Sequence, residues 1–335
     1  MERNGDDIQE ALLKGMESFE AFFQREKEKT EHHLWNDLEY PGSLHETLGR
    51  MTKENLNKIR KNLEIKNLSS LKKAELADKL AVLIPQNYRR IISLLDQTFY
   101  KTIKKIVKNS GIYTYDFSSH TAELLMKYGI CFPCLYKGRK ALFMPPELID
   151  AFQKSDGHEL EKTARRNSEW IRLTQGLLYY YGVISTRMIL EKIRELTRTD
   201  FNEPDFFNVI DFAVKLYRVV EYSPYGMKYI MVDEDEDEIL QERKKRPDID
   251  YFPFTRQQLT KAGDPDFIEI TPELNNLMGF LLRHYEIPDE AADDIRGDIV
   301  FFIIGGEKPA EVLEYLEEYL ESPSRSFLDK LLLLL

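Results

Sequence analysis

The stretch Leu63-Glu-Ile-Lys-Asn-Leu-Ser-Ser-Leu-Lys-Lys-Ala-Glu-Leu76 decides how the first half of this chain is read. Before it, Leu56, Ile59 and Leu63 recur at helical spacing. After it, Leu76, Leu80 and Leu83 do the same, with Ile65, Leu68 and Leu71 between the two sets. The spacing predicts a small helix-loop-helix unit that ends at Pro85. Its second helix opens on Lys72 and Lys73, which puts positive charge at the positive end of a helix. Alone, that arrangement is destabilising by about a few tenths of a kcal/mol. A phosphate would reverse the sign, because the unpaired N–H groups, the dipole and both ammonium groups would converge on one anion.

The surrounding segment shares this polarity. Residues 52–110 hold fourteen Lys and Arg against five Asp and Glu, although the 335-residue chain has a net charge of -11. Residues 233–335 are the opposite, with eleven basic against twenty-six acidic side chains. The average therefore excludes a protein coated in positive charge, but it leaves room for one short phosphate-binding segment. Hydrophobic content of 42% with 31% charged residues is that of a globular chain long enough for more than one core. The acidic start Met1-Glu-Arg-Asn-Gly-Asp-Asp lacks a secretory pattern and no apolar run would span a bilayer, so a cytoplasmic protein with no membrane partner is expected. Two cysteines fit a reducing compartment.

Working outward, residues 8–36 read as one helix, broken by Pro41-Gly42-Ser43. A helix over about 88–108 follows the helix-loop-helix unit and carries Arg89, Arg90, Lys101, Lys104, Lys105 and Lys108. Helix 119–128 then leads to a hairpin turning at Lys137-Gly-Arg139 and a helix from Pro146. Helices at about 168–181, 186–196 and 204–219, followed by the hairpin segment 222–232, give the order of a winged helix-turn-helix, with Ser185 as an N-cap. The acidic run 233–238 and the basic Arg243-Lys-Lys-Arg246 read as a solvated linker, and the remainder as helices. The expected fold is mainly α and multi-domain: a small helix-loop-helix module, winged-helix-like units with short β-hairpins, and a helical C-terminal region. The boundaries fall at 1–44, 45–112, 113–160, 161–232, 233–252 and 253–335.

Residues 51–85, about a tenth of the chain, resemble the helical N-terminal domain of the Rho family of bacterial transcription terminators and are similar to SAP-type helix-extended-loop-helix modules. The matching positions are Leu56 and Ile59, the Leu63–Ile65 turn, and the entry Leu71-Lys-Lys-Ala-Glu-Leu76. The resemblance implies contact with DNA or RNA through residues 45–112. Lys58, Arg60, Lys61, Lys66, Lys72 and Lys73 are the candidate phosphate ligands. No Gly-x-x-x-x-Gly-Lys-Ser/Thr loop is present, so a Rho-like motor is not expected; Gly305-Gly-Glu-Lys308 lacks the spacing. The hairpin segment also looks like winged-helix pieces found beside helicase motors. The whole chain resembles bacterial proteins that join a Rho-N-like module to helical regions, some with a Cys-rich zinc-binding tail.

Other constellations point elsewhere or nowhere. Cys131-Phe-Pro-Cys134 has clip spacing but no second Cys pair, so it reads as two packed small residues and neither metal nor cofactor is expected. The helix from Pro204 carries Asp205 and Asp211 against Lys215 and Arg218, which suits protein contact better than a DNA groove. Its Phe206, Phe207, Phe212 and Tyr217 read as core, as does Tyr179-Tyr-Tyr181, although aromatics beside a basic groove can stack on unpaired bases. Asp289, Glu290, Asp293 and Asp294 read as a solvated face, and no catalytic signature appears. The expectation is a non-enzymatic, transcription-associated nucleic-acid-binding protein whose acidic C-terminal half suits a basic protein partner. The rival is an adaptor in which every module binds protein. An enzyme with a site assembled from distant residues is the third reading.

Overall fold

The computed structural model describes residues 34–35, 42–114, 118–232, 236–305 and 308–320. The helix expected over 8–36 lies outside them except for Leu34 and Trp35, as does the one expected from Ser326. Among the described residues there are fourteen helices and two small antiparallel sheets, so the protein is mainly helical. The chain divides into two compact units, 1–165 and 166–335, and the division falls within one helix, His158–Tyr181.

In the first unit, α1 (Leu44–Arg50) starts at a capping box: Ser43 Oγ accepts from the Glu46 N–H and Glu46 returns a carboxylate to the Ser43 N–H at 2.9 Å. Helices α2 (Lys53–Asn62) and α3 (Lys73–Ile92) follow. The expected stop at Pro85 does not occur. Leu80 and Ile84 before it and Tyr88, Ile91 and Ile92 after it are all buried, and that packing carries the helix through a residue that costs about 3 kcal/mol in a helix interior. Residues 88–92, expected in the next helix, therefore belong to α3. The break comes at Ser93–Leu95, and Asp96 caps α4 (Gln97–Lys108) by accepting from the Phe99 N–H at 2.8 Å.

Strand β1 (Ile112–Tyr113), helix α5 (Ser119–Lys127), the hairpin β2 (Phe132–Tyr136) and β3 (Arg139–Phe143), and helix α6 (Pro146–Ser155) complete the unit. The sheet order is β1-β3-β2, with Ile112 opposite Phe143 and Tyr136 opposite Arg139. The segments expected at 45–112 and 113–160 share one interior. Tyr88, fully buried on α3, donates its hydroxyl to the Ile130 carbonyl at 2.7 Å. Asn62 donates to the Lys127 carbonyl at 2.9 Å, and Glu147 accepts from the Leu44 N–H at 3.0 Å. Gly129, at φ +64, lies against Ile84 and Ile59, so a side chain there would press into the α2–α3 packing.

The second unit contains α7 (His158–Tyr181) from residue 166 on, then β4 (Val183–Ile184), α8 (Thr186–Thr197), α9 (Glu203–Tyr217) and the hairpin β5 (Val220–Ser223) with β6 (Gly226–Tyr229). Its sheet order is β4-β6-β5, again a two-residue strand beside a hairpin. Trp170 anchors the core, its ring 4.9 Å from Phe201 and 5.4 Å from Phe206. Ser185 caps α8 by accepting from the Met188 N–H at 3.2 Å.

Residues expected to form a solvated linker are partly structured. Helix α10 (Glu236–Lys244) carries Arg243 in its last turn, where the guanidinium donates to the carbonyls of Tyr181 and Val183 and, at 2.8 Å, to the Tyr251 hydroxyl. The reason is local demand: carbonyls at the end of α7 and along β4 need donors that their own elements do not supply. Phe254 then stacks on Tyr180 at 3.9 Å. Helix α11 (Arg256–Ala262) crosses α7 so closely that a Cβ on Gly176 would sit 2.0 Å from the Leu259 oxygen, and one on Gly263 1.8 Å from the Arg172 oxygen. Three more helices, α12 (Pro272–His284), α13 (Asp289–Gly305) and α14 (Pro309–Tyr319), bury Leu277, Leu281, Ile295, Ile299 and Leu316 in a core of their own.

Candidate nucleic-acid interface

The loop between α2 and α3 is held open by its own backbone. At the end of α2 the Glu64 N–H donates to the Lys61 carbonyl at 2.9 Å and the Ile65 N–H to the Arg60 carbonyl at 3.0 Å, the paired bonds of a Schellman motif. Glu64 occupies the left-handed position at φ 54 that glycine usually fills, and its carboxylate takes Arg90 at 2.8 Å. Asn67 is also left-handed, at φ 64. Arg60 donates Nη1 to the Ile65 carbonyl at 3.1 Å and Nε to Asn57 at 3.3 Å.

These bonds sort the six candidate residues. Arg60 is spent on shaping the loop, and half-buried Lys58 pairs with Glu54 at 2.7 Å, a hydrogen bond that holds the Glu54 carboxyl below its usual 4.5. Lys61, Lys66, Lys72 and Lys73 are exposed, and among the described residues no hydrogen bond or ion pair engages their ammonium groups. They frame the loop: one in the last turn of α2, one within the loop, two at the entry to α3. Glu75 Oε2 accepts from the Lys72 N–H at 2.9 Å, so α3 supplies its own anion at its N-terminus and the lysine ammoniums remain outward.

Helix α4 lies within the 45–112 segment expected to contact nucleic acid, and it carries lysines beyond the six candidates. Lys101, Lys105 and Lys108 recur at helical spacing and are exposed, whereas Lys104 reaches Asp156 at 3.4 Å. The signal was in the sequence: Gln97–Lys108 holds four lysines and no acid.

The second unit presents a different surface. On α9, Asp211 accepts from the Tyr222 hydroxyl, and Glu203 holds Arg194 at 2.7 Å. Hairpin residue Tyr225 donates to Asp237. Phe206 and Phe212 are buried and Phe207 and Tyr217 half-buried; Tyr179 packs edge-on against Tyr229 and Phe267, leaving no face for a base.

Cys131 and Cys134 are buried, and burial pushes both thiols up, Cys134 to about 12. Among the described residues no three His, Cys, Asp or Glu side chains gather as a metal set. Of the carboxylates at 289–294, Asp293 pairs with Arg296, and the side chains of Asp289 and Glu290 lie outside the described residues. No described helix is long and apolar enough to cross a membrane. Comparison with protein-family models, with curated protein sequences and with solved structures finds no match to this chain.

Proposed function

We propose that this protein is a non-enzymatic nucleic-acid-binding protein that grips a phosphate backbone through the Rho-N-like loop of its first unit. The observation that supports this most is the division of labour among the six basic residues. Arg60 fixes the loop, while Lys61, Lys66, Lys72 and Lys73 stand exposed around it, their ammonium groups in no ion pair among the described residues. A solubility surface needs no such rigid frame, whereas backbone recognition gains from cations whose spacing is set before binding. Such contacts read charge and spacing and carry no base sequence.

The second unit fits a protein contact within the same reading. Its element order is that of a winged helix, but the exposed side of α9 and the hairpin hold Glu203, Asp205 and Asp211, which repel phosphate and suit a basic protein surface. A place near transcription, in a bacterial cytoplasm, follows from the resemblance of residues 51–85.

The test is fluorescence-anisotropy binding of the full chain to labelled single-stranded RNA, single-stranded DNA and duplex DNA at two salt concentrations, with Lys72→Ala/Lys73→Ala alongside. Binding that weakens with salt and falls in the double variant supports the loop. Absence of binding to all three at low salt rejects it and leaves the adaptor reading.

A further inference from the structure

On three helices of the chain a cation is answered by an acid one turn away. Lys58 meets Glu54 at 2.7 Å on α2, Lys127 meets Glu123 at 2.7 Å on α5, and Arg187 meets Glu191 at 2.8 Å on α8. Helix α4 departs from this pattern. Gln97–Lys108 holds four lysines and no acid, and from 101 to 108 every exposed position is a lysine. Tyr100, Ile103 and Ile106 are buried on its other side. Lys104 reaches Asp156 at 3.4 Å, and Lys105 Nζ lies 5.8 Å from the centroid of the Tyr113 ring. Among the described residues no carboxylate pairs with Lys101, Lys105 or Lys108.

That arrangement works against the helix that carries it. Like charges one turn apart repel, and both Lys101–Lys105 and Lys104–Lys108 have that spacing. The helix dipole rewards Lys105 and Lys108 in the last turn, but not Lys101, which lies nearer the N-terminal end. Solubility is served as well by the mixed signs of α2, α5 and α8, without the repulsion. A negative partner outside the chain removes it. Lys101, Lys105 and Lys108 sit at i, i+4 and i+7, so they share one face at steps of about 6 and 4.5 Å along the axis. A membrane-surface helix needs a free apolar side to insert, and that side of α4 is already buried.

We propose that Lys101, Lys105 and Lys108 form a second row of contacts to a nucleic-acid backbone, separate from the lysines of the α2–α3 loop. The inference rests on the proposed nucleic-acid function and deepens it by setting how far along the first unit the backbone runs. Both ends of α4 are tied to the C-terminal part of α3. Its cap Asp96 follows the end of α3 at Ile92 by four residues. Past its other end, the Gly111 carbonyl accepts from the Met144 N–H at 2.8 Å, and Met144 Sδ lies 3.9 Å from the Tyr88 hydroxyl. Lys72 and Lys73 stand at the opposite end of α3, fifteen residues before Tyr88, or about 22 Å of helix. The two sets of lysines therefore hold different phosphates. A backbone that serves both covers about seven base steps at 3.4 Å each.

The experiment uses the full chain with a labelled single-stranded DNA long enough to reach from the loop to α4 and, separately, with phosphatidylserine vesicles. Affinity for the DNA is measured by anisotropy across a salt series. Lysines are acetylated with and without DNA and mapped by mass spectrometry. Lys101→Glu puts a carboxylate one turn before Lys105, the favoured orientation of such a pair, and nearer the N-terminal end, so it steadies α4 while opposing phosphate. The row predicts weaker DNA binding by Lys101→Glu, with hydrogen exchange in 97–108 no faster than in the parent. Lys101→Gln/Lys105→Gln/Lys108→Gln should lower the log–log salt slope by about 2, leaving the share of the loop lysines. Its loss of affinity and that of Lys72→Ala/Lys73→Ala should multiply, because the two sets are about 22 Å apart. Bound DNA should protect Lys101, Lys105 and Lys108 from acetylation and leave the exposed Lys261 of the second unit reactive. Undiminished affinity in both folded α4 variants, or acetylation of α4 unchanged by DNA, overturns the row. Should the triple variant unfold, Lys101→Glu and the acetylation map decide. Vesicle binding that Lys101→Glu abolishes, with DNA affinity unchanged, assigns the face to lipid and overturns the row as well. Binding lost in Lys72→Ala/Lys73→Ala but indifferent to α4 removes the row alone; no DNA binding by the parent chain removes the proposed function with it.

Discussion

Replacing Tyr88 by Phe deletes one oxygen at a place where two sequence segments meet. The hydroxyl is buried and donates to the Ile130 carbonyl at 2.7 Å, with Met144 Sδ 3.9 Å away. Burial pushes the phenol well above its ordinary 10.0, so it is the neutral donor at any ordinary pH. Without it the Ile130 carbonyl has no replacement from water, and a buried acceptor left alone costs about 1–3 kcal/mol. At about 2 kcal/mol, hydrogen exchange through opening of the first unit should speed up roughly thirtyfold. Because α2, α3, the hairpin and α6 share one interior, the loss should reach them together. Peptide-resolved hydrogen exchange of the full chain tests this, since a single melting curve would mix two units. Faster exchange confined to residues 130–144, with 53–62 and 73–92 unchanged, would refute the single interior and restore an independent helix-loop-helix module.

Three further outcomes are expected. If Lys61, Lys66, Lys72 and Lys73 each hold one phosphate of a single strand, affinity should fall with a log–log salt slope of about -2.8, or roughly fiftyfold from 50 to 200 mM, and the double variant should halve that slope. Gly263→Ala places a Cβ against the Arg172 carbonyl, which cannot yield as a side chain would; the second unit should lose about 1–3 kcal/mol while exchange in residues 42–114 stays unchanged. Cys131 and Cys134 should resist alkylation at pH 8 until denaturant is added. Their folded pKa values lie above the unfolded ones, so this contribution is complete below pH 9.0 and is lost as pH rises towards 12, which an alkaline denaturation series reads.

Features written in local pattern were legible before the fold was seen. The hairpin around Lys137-Gly138, the Ser185 cap and the amphipathic helices of both units follow from periodicity and capping, which act within a few residues. Pro85 misled because its penalty is local while the packing of Ile84 and Tyr88 that overrides it comes from partners far along the chain. Strands Ile112–Tyr113 and Val183–Ile184 are too short to alternate visibly; each exists because a hairpin offers it an edge. Among the candidate basic residues, charge and spacing marked all six alike. Only the carbonyl of Ile65 and the carboxylate of Glu54 separate Arg60 and Lys58 from the rest.

The clamp made by Arg243 also closes a boundary. In the order β4-β6-β5, β4 is an edge, and its outward carbonyls would invite another strand to pair. Arg243 takes the Val183 carbonyl with a charged side chain that has no acceptor to hand on, so the sheet cannot grow past it. A segment that reads as a solvated linker thereby guards the β4 edge of this sheet against recruiting a stray strand.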